Sequence, residues 1–245
     1  MPNEEYLDKS VHWKVRSGQI DFAEPTHSEV AAAILECGLA TEVGQRLGSG
    51  KEADVYLCQD ERRIHVVKAY RLYRTAHRGG RPIKLETMGQ RALIEHDLLC
   101  YAWQGGARVP EPGRRVENMF SMQYLGTPAR AAPMLQHVRL DDPEAFLHAT
   151  VAGVVSLAEA GIVHSDLSPF NILVHEGQPW IIDLAAGVRI DRLGTPAWVR
   201  LNQALTAVAA GARTLKRYFD RYGLTLDVED LMTRVRAKID LFRVV

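Results

Sequence analysis

The chain has 245 residues, 47% of them hydrophobic, enough to bury a substantial core without disulfide or metal staples. Its formal net charge is zero, so the whole-molecule field gives no pull toward nucleic acid or membrane, and no run of about 18 apolar residues could span a bilayer. Cys37, Cys58 and Cys100 are widely spaced with no CxxC pair, and MPNEEYLDKSVHWKV holds acids where a signal peptide needs an apolar run; a disulfide scaffold and a zinc module are excluded, and a soluble cytoplasmic protein is expected.

Residues 1–26 are polar and irregular. HSEVAAAILEC, from His27 to Cys37, spaces its apolar residues helically and meets a stop at Gly38. Between Thr41 and Tyr70 the short β-branched runs VGQRL, ADVYLC and IHVVKAY, broken by LGSGKE and QDERR, predict an antiparallel meander. From Arg62 through Leu85 there is no acid, whereas Arg62, Arg63, Lys68, Arg71, Arg74, Arg78, Arg81 and Lys84 are all basic; this is either a solvated loop or a contact for phosphate of RNA or a partner. Leu85 to Gln104 reads as a helix closed by Gly105 and Gly106, and Val109 to Tyr124 returns to strand around the PEPG turn.

After Gly126 helices dominate. Pro143 to Ala160 places Pro143 in a first turn and Gly161 just past the end. Ile172 to His175 and Pro179 to Ile182 form short strands around Glu176-Gly177, and Trp198 to Tyr222 and Asp227 to Phe242 supply two closing helices. The expected organisation is an extension over 1–40 with one helix, a sheet-rich lobe over 41–126 and a helical lobe over 127–245.

The most informative string is GIVHSDLSPFNILV followed by PWIID. It sets Asp166 and Asn171 on one loop, with Asp183 returning after a hairpin. Magnesium takes hard oxygen ligands, commonly one or two carboxylates plus substrate phosphates, and Asn171 and Asp183 suit that task. Asp166 can accept or orient the proton of an acceptor hydroxyl. His164 reads as a brace for the loop rather than as a base. In LGSGKEADVY, Gly48, Ser49, Gly50 and Lys51 lie between two strands, with Val55 following; glycine lets a backbone approach phosphate closely. Ala53 occupies the third glycine position of a dinucleotide fingerprint and no long helix opens here, which argues against a Rossmann site. Lys51 and Glu52 are equally readable as surface turn residues. Lys68 is a single cation in the apolar strand IHVVKAY, and the following helix offers Glu86 or, beside the apolar Ala92, Leu99 and Trp103, the better placed Glu95. FSMQYLG brings Met122, Gln123, Tyr124 and Leu125 to the end of a strand, either as plain core or as backbone offered to a nucleotide base.

These residues resemble the RIO family of atypical protein kinases, in particular its RIO1-like and bacterial members. The resemblance is carried by GSGKEADVY, VVKAY, the segment from Glu95 into VPEP, APMLQHVRL from Ala132 to Leu140, HSDLSPFN and IIDL, over residues 41–190. It implies an α+β, two-lobed protein-kinase-like fold with a small antiparallel sheet lobe and a reduced helical lobe. It also implies binding of ATP with Mg2+, or Mn2+ in its place. Lys68 is then expected to pair with Glu95 and nucleotide phosphate, Asp166 to be the catalytic aspartate, Asn171 and Asp183 to hold the metal, and Met122 to Leu125 to form the hinge. Ser165 stands where most kinases have Arg, and Leu184-Ala185 follows the metal Asp; both resemble RIO usage. No APE triplet follows, and the stretch to Val245 is too short for a full peptide-docking platform. AAGARTLKRYF lacks an acid expected in related sequences, and Thr75 and Thr87 are candidate autophosphorylation sites.

The leading function is a Ser/Thr kinase or autokinase acting on a protein substrate or itself, with ATPase cycling as a variant. A small-molecule kinase similar to the aminoglycoside kinases shares the HxDxxxxN loop but devotes a larger second lobe to its acceptor. A nucleotide-gated module binding the ribosomal small subunit or RNA is the reading from another class.

Overall fold

Thr26 opens helix α1 (His27–Glu36) with a reciprocal cap: its hydroxyl accepts from the Glu29 N–H at 3.3 Å and its own N–H donates to the Glu29 carboxylate at 2.7 Å. The helix stops at Gly38, whose φ of 64° is the left-handed conformation that a helix C-terminus favours. The structure, a computed structural model, describes residues 13–14, 16–17, 22–23, 25–50, 52–61, 63–71, 73–75, 82–83, 85–192 and 196–240. Lys51, Arg62, Arg78, Arg81 and Lys84 lie outside the described residues, as do the side chains of Arg74, Thr75, Glu86 and Thr87.

The β-branched runs form β1 (Glu42–Ser49), β2 (Ala53–Asp60) and β3 (Arg63–Tyr70). With β4 (Pro112–Val116) and β5 (Met119–Gln123) they build a five-stranded sheet in the order β1-β2-β3-β5-β4. The turn between β4 and β5 falls at Glu117-Asn118 and not at PEPG: Glu117 takes a φ of 50°, and Pro112 begins an edge strand, where a missing N–H costs no ladder bond. Asn118 fixes this turn by donating to the Tyr70 carbonyl at 2.6 Å while its own carbonyl accepts from the Tyr70 N–H at 3.0 Å. One face of the sheet packs Tyr56, Cys58, Val67, Ala69 and Met119 against Ile34 and Leu39 at and after α1.

The chain divides into two compact units, one running to Ile94 and taking in Gly113–Tyr124, the other comprising Glu95–Pro112 and Leu125 onward. Helix α2 (Leu85–Gln104), read correctly at both ends from the sequence, contributes residues to each. In the second unit Asp142 caps α3 (Pro143–Glu159) by accepting from the Ala145 N–H at 3.0 Å, and Pro143 occupies its first turn. Strand β6 (Ile162–Val163) pairs with β9 (Val188–Arg189), and β7 (Ile172–His175) with β8 (Gln178–Ile181). Glu176 and Gly177, at φ 52° and 70°, make the two-residue turn of positive φ that suits a tight hairpin. Helices α4 (Ala197–Asp220) and α5 (Val228–Asp240) close the unit, burying Leu205, Leu215, Phe219, Leu231 and Val235.

Candidate active site

In the second unit β6 ends at Val163 and delivers His164 to the loop that carries Asp166 and Asn171 before β7 begins. Asn171 turns its side-chain amide toward the start of that loop, donating to the Asp166 carbonyl at 2.7 Å and the Asp166 carboxylate at 3.1 Å. Its Oδ1 is thereby the side-chain atom left to face a cation. The Asn171 carbonyl accepts from the Ile182 N–H at 3.0 Å, so the residue before Asp183 is stitched to the same loop.

His164 completes the stitching. It is 3% exposed, its Nδ1 accepts from the Asp166 N–H at 3.2 Å, and its Nε2 lies 3.1 Å from the Ile182 carbonyl. A carbonyl only accepts and an N–H only donates, so this ring is neutral with its proton on Nε2. Burial lowers its pKa; the Ile182 carbonyl and the charges of Asp183 and Asp166 oppose that without reversing it. Ser165, between these residues, buries a hydroxyl with no partner among the described residues.

Asp166 and Asp183 are exposed. Asp183 adopts a φ of 60°, a strained conformation for a residue with a side chain, and such strain concentrates where a side chain must be aimed. The segment beyond it turns at Leu184, whose carbonyl accepts from Gly187 at 2.7 Å, and is then held by Arg189. Arg189 donates to Asp97 at 2.8 Å and to Asp191 at 2.5 Å, and stacks on the Tyr101 ring at 3.3 Å. Burial opposes its charge, but the hydrogen bonds it donates to Asp191 and Asp97 win and raise its pKa.

Two further contacts set the loop from outside. APMLQHVRL lies beside it: the Pro169 carbonyl accepts from Gln136 at 3.1 Å, the Pro133 carbonyl from Val174 at 2.9 Å, and the His137 ring meets Phe170 edge-on at 5.9 Å. Helix α4 approaches from another side through Gly211, where an added Cβ would stand 2.5 Å from the Leu167 carbonyl oxygen.

In the first unit Gly48 pairs with Val55, Val55 with Lys68 and Lys68 with Phe120, a single row across four strands. Directly paired residues share a sheet face, so Gly48, Val55 and Lys68 point one way, joined by Met122 through its pairing with Val66. Lys68 is 8% exposed on a central strand, with its ammonium 5.6 Å from the Tyr70 ring centroid. At Gly48 an added Cβ would meet nothing within 4 Å and no left-handed φ is imposed, so neither packing nor backbone geometry asks for glycine there. The Gly50 N–H donates to the Ala53 carbonyl at 2.9 Å, closing the turn. Ser49 lies on the opposite face and accepts from Arg71 at 2.6 Å; Glu52 forms an ion pair with Arg91.

Glu95, in the second unit, is 4% exposed. Gln123 pairs with His65 at the end of β5, and Leu125 is buried with its carbonyl committed to the Ala132 N–H at 2.9 Å. Sequence reasoning missed Asp54, Arg71, Arg189 and Gly211. Two left a trace: Asp54 is an acid inside an apolar strand, and Gly211 a glycine inside a helical pattern.

The chain as a whole is similar to known proteins. The chain is 26% identical to the RIO-type serine/threonine-protein kinase Rio1 of Haloferax volcanii over 213 residues, 81% of this chain and 70% of that protein. It is 26% identical to the serine/threonine-protein kinase RIO1 of Caenorhabditis elegans over 73% of this chain, but only 39% of that longer protein. Among solved structures it resembles the Rio2 kinase of Chaetomium thermophilum in its ADP/Mg2+-phosphoaspartate complex, with a TM-score of 0.62, 21% identity, and coverage of 95% of this chain and 79% of that one. The fold is therefore the two-lobed kinase type expected. A sequence model of the RIO domain matches residues 59–229, more than half of the chain, and on that match the chain belongs to the RIO domain family.

Proposed function

We propose that this chain is an ATP-dependent phosphotransferase of the RIO type, directed to Ser or Thr of a protein or of itself. The observation that carries the reading is the Asn171 amide. It donates to Asp166 while its backbone carbonyl holds Ile182, which brings an acceptor-side carboxylate, an amide oxygen and the Asp183 segment under one set of hydrogen bonds.

The donor set fits magnesium: Asn171 offers Oδ1 and Asp183 a carboxylate, both hard oxygen donors, with substrate phosphates to fill the remaining positions. When bound, the ion would offset negative charge on the transferring phosphoryl group. Asp166 orients the acceptor hydroxyl and takes its proton. In this reading Lys68 and the backbone from Gly48 to Gly50 serve the nucleotide phosphates, Val55 and Met122 flank the base, Gln123 and Leu125 mark the hinge, and Glu95 is the acid that the family resemblance assigns to Lys68. The free Cys37, Cys58 and Cys100 suit a reducing cytoplasm. RIO family membership favours a protein acceptor over an aminoglycoside-like one.

The test is transfer from γ-labelled ATP with magnesium. Label stable to acid marks Ser or Thr, label released by hydroxylamine marks an acyl phosphate of the kind named for the Rio2 complex, and free phosphate marks ATPase cycling. Asp166→Asn and Asp183→Ala should each lower total transfer by at least about 100-fold. Turnover at the wild-type rate in either variant overturns the assignment.

A further inference from the structure

Behind the glycine turn, on the sheet face opposite Lys68, stands a half-buried ion pair. Ser49 pairs with Asp54 across β1 and β2, and Asp54 with Ala69 across β2 and β3, the row next to that of Gly48, Val55 and Lys68. Adjacent rows face opposite sides of the sheet, and Ala69 belongs to the core packed with Ile34. Arg71, just past the end of β3, reaches back into this row. It donates through Nε to one Asp54 carboxylate oxygen at 3.2 Å and through a terminal nitrogen to the other at 2.8 Å, and the same nitrogen reaches the Ser49 hydroxyl at 2.6 Å. The Arg71 N–H also donates to the Glu52 carbonyl at 2.8 Å. One residue thus grips the turn at both ends, through Ser49 and through Glu52.

The grip is firm. Asp54 is 6% exposed, and although burial pushes its carboxyl up, hydrogen bonds from Arg71 and Ser49 and the charges of Arg71 and Arg46 bring it below the ordinary range. A planar guanidinium bridging a carboxylate and a hydroxyl fixes both distance and angle, which a lysine ammonium cannot do. Glu52 is further tethered by Arg91. Ser49, Asp54 and Ala69 lie in the row that faces away from Gly48 and Lys68, so the influence of Arg71 on nucleotide passes through the backbone of the turn.

We infer that Arg71, locked by Asp54, is a positioning residue that holds Ser49 and Glu52, on either side of the phosphate-facing glycine turn, in place from behind the sheet. The inference rests on the phosphotransferase reading for its consequence, but the grip itself can be read without nucleotide. The test is Arg71→Lys, with Ser49→Ala as a second variant that leaves the Asp54–Arg71 pair intact and carries little folding risk. Two readouts are used: hydrogen exchange of the peptide spanning the turn in the nucleotide-free protein, and steady-state kinetics.

Expected are faster exchange confined to the turn and a KM for ATP raised about tenfold with kcat within about twofold, the pattern of lost preorganisation in binding. Ser49→Ala should show the same signature at smaller amplitude. Exchange at the wild-type rate in Arg71→Lys overturns the grip whatever the kinetics do. A loosened turn with unchanged KM overturns the positioning role. If wild-type protein binds no ATP by calorimetry, the phosphotransferase reading fails and the role toward nucleotide falls with it, while the exchange data still report the grip.

Discussion

His164 shows how one buried residue can serve two exposed acids. Its ring meets an N–H donor on Nδ1 and a carbonyl on Nε2, an arrangement only the neutral form satisfies. A second proton would set an N–H on Nδ1 against the Asp166 N–H and free the very backbone that aims Asp166. The sign of the pH effect follows. Burial lowers the folded pKa below the ordinary 6.5, so the unfolded chain takes up protons first as pH falls. The stability supplied by neutral His164 is whole above that ordinary value and is lost as pH drops through the folded pKa. In urea unfolding the advantage of wild-type protein over His164→Asn should therefore be largest near pH 7.5 and shrink toward pH 5. A gap that is constant or grows on acidification would show that the ring is not held neutral. The three oxygen-bearing residues were legible in the string because HxDxxxxN and IID lie close in sequence. The Asp54–Arg71 pair was not, since an acid and a base 17 positions apart look ordinary until strand register sets them side by side.

Elements were legible where their signals are local. α2 was read at both ends from helical spacing and its closing glycines, and the β7–β8 hairpin from Glu176-Gly177. The β4–β5 turn was misread because the two prolines of PEPG outweighed Asn118, which proved to anchor the turn to Tyr70. What no periodicity reveals is which helix face meets which loop. α4 was expected from its apolar spacing, yet what brings it to the candidate site is Gly211, where the helix backbone closes on Leu167, the neighbour of Asp166. Alanine normally stabilises a helix interior by about 1 kcal/mol over glycine. At Gly211 the sign should reverse, because the new Cβ would sit 2.5 Å from a carbonyl oxygen and 2.7 Å from the Leu167 Cβ. Gly211→Ala is expected to cost about 1–3 kcal/mol, the usual range for overpacking, and to lower kcat at least tenfold, an order-of-magnitude figure for a displaced catalytic group, with KM for ATP nearly unchanged. Gly153→Ala on α3 is the control: its Cβ would make an ordinary 3.5 Å contact with Ile181 and should stabilise. Thermal melts and kinetics on the pair decide the matter, and parallel behaviour of the two variants would dismiss the close approach as a cause.

At the scale of the molecule, the Gly48–Val55–Lys68 row lies in one compact unit and the Asp166–Asn171–Asp183 set in the other. No described helix is long and apolar enough to cross a membrane. Of the basic residues from Arg62 to Lys84, the sequence feature behind an RNA or ribosomal partner, only the side chains of Arg63, Lys68 and Arg71 are among those described, so that partnership rests on sequence alone. Nucleotide binding can be tested on the whole chain without knowing any acceptor. A ligand that binds only the folded protein adds about 2.7 kcal/mol at a hundred times its Kd, which for a chain of this size corresponds to a rise in Tm of roughly 5 to 10 °C. ADP with magnesium should give that shift, and ADP with a chelator a much smaller one. The two acids should then part company. Asp183→Ala removes the proposed metal ligand and should abolish the magnesium-dependent share, whereas Asp166→Asn alters the proposed acceptor side and should keep nearly all of it. Equal shifts with and without magnesium, or a full magnesium response in Asp183→Ala, would remove Asp183 from the metal site. Loss of the response in Asp166→Asn alone would exchange the roles given to the two carboxylates.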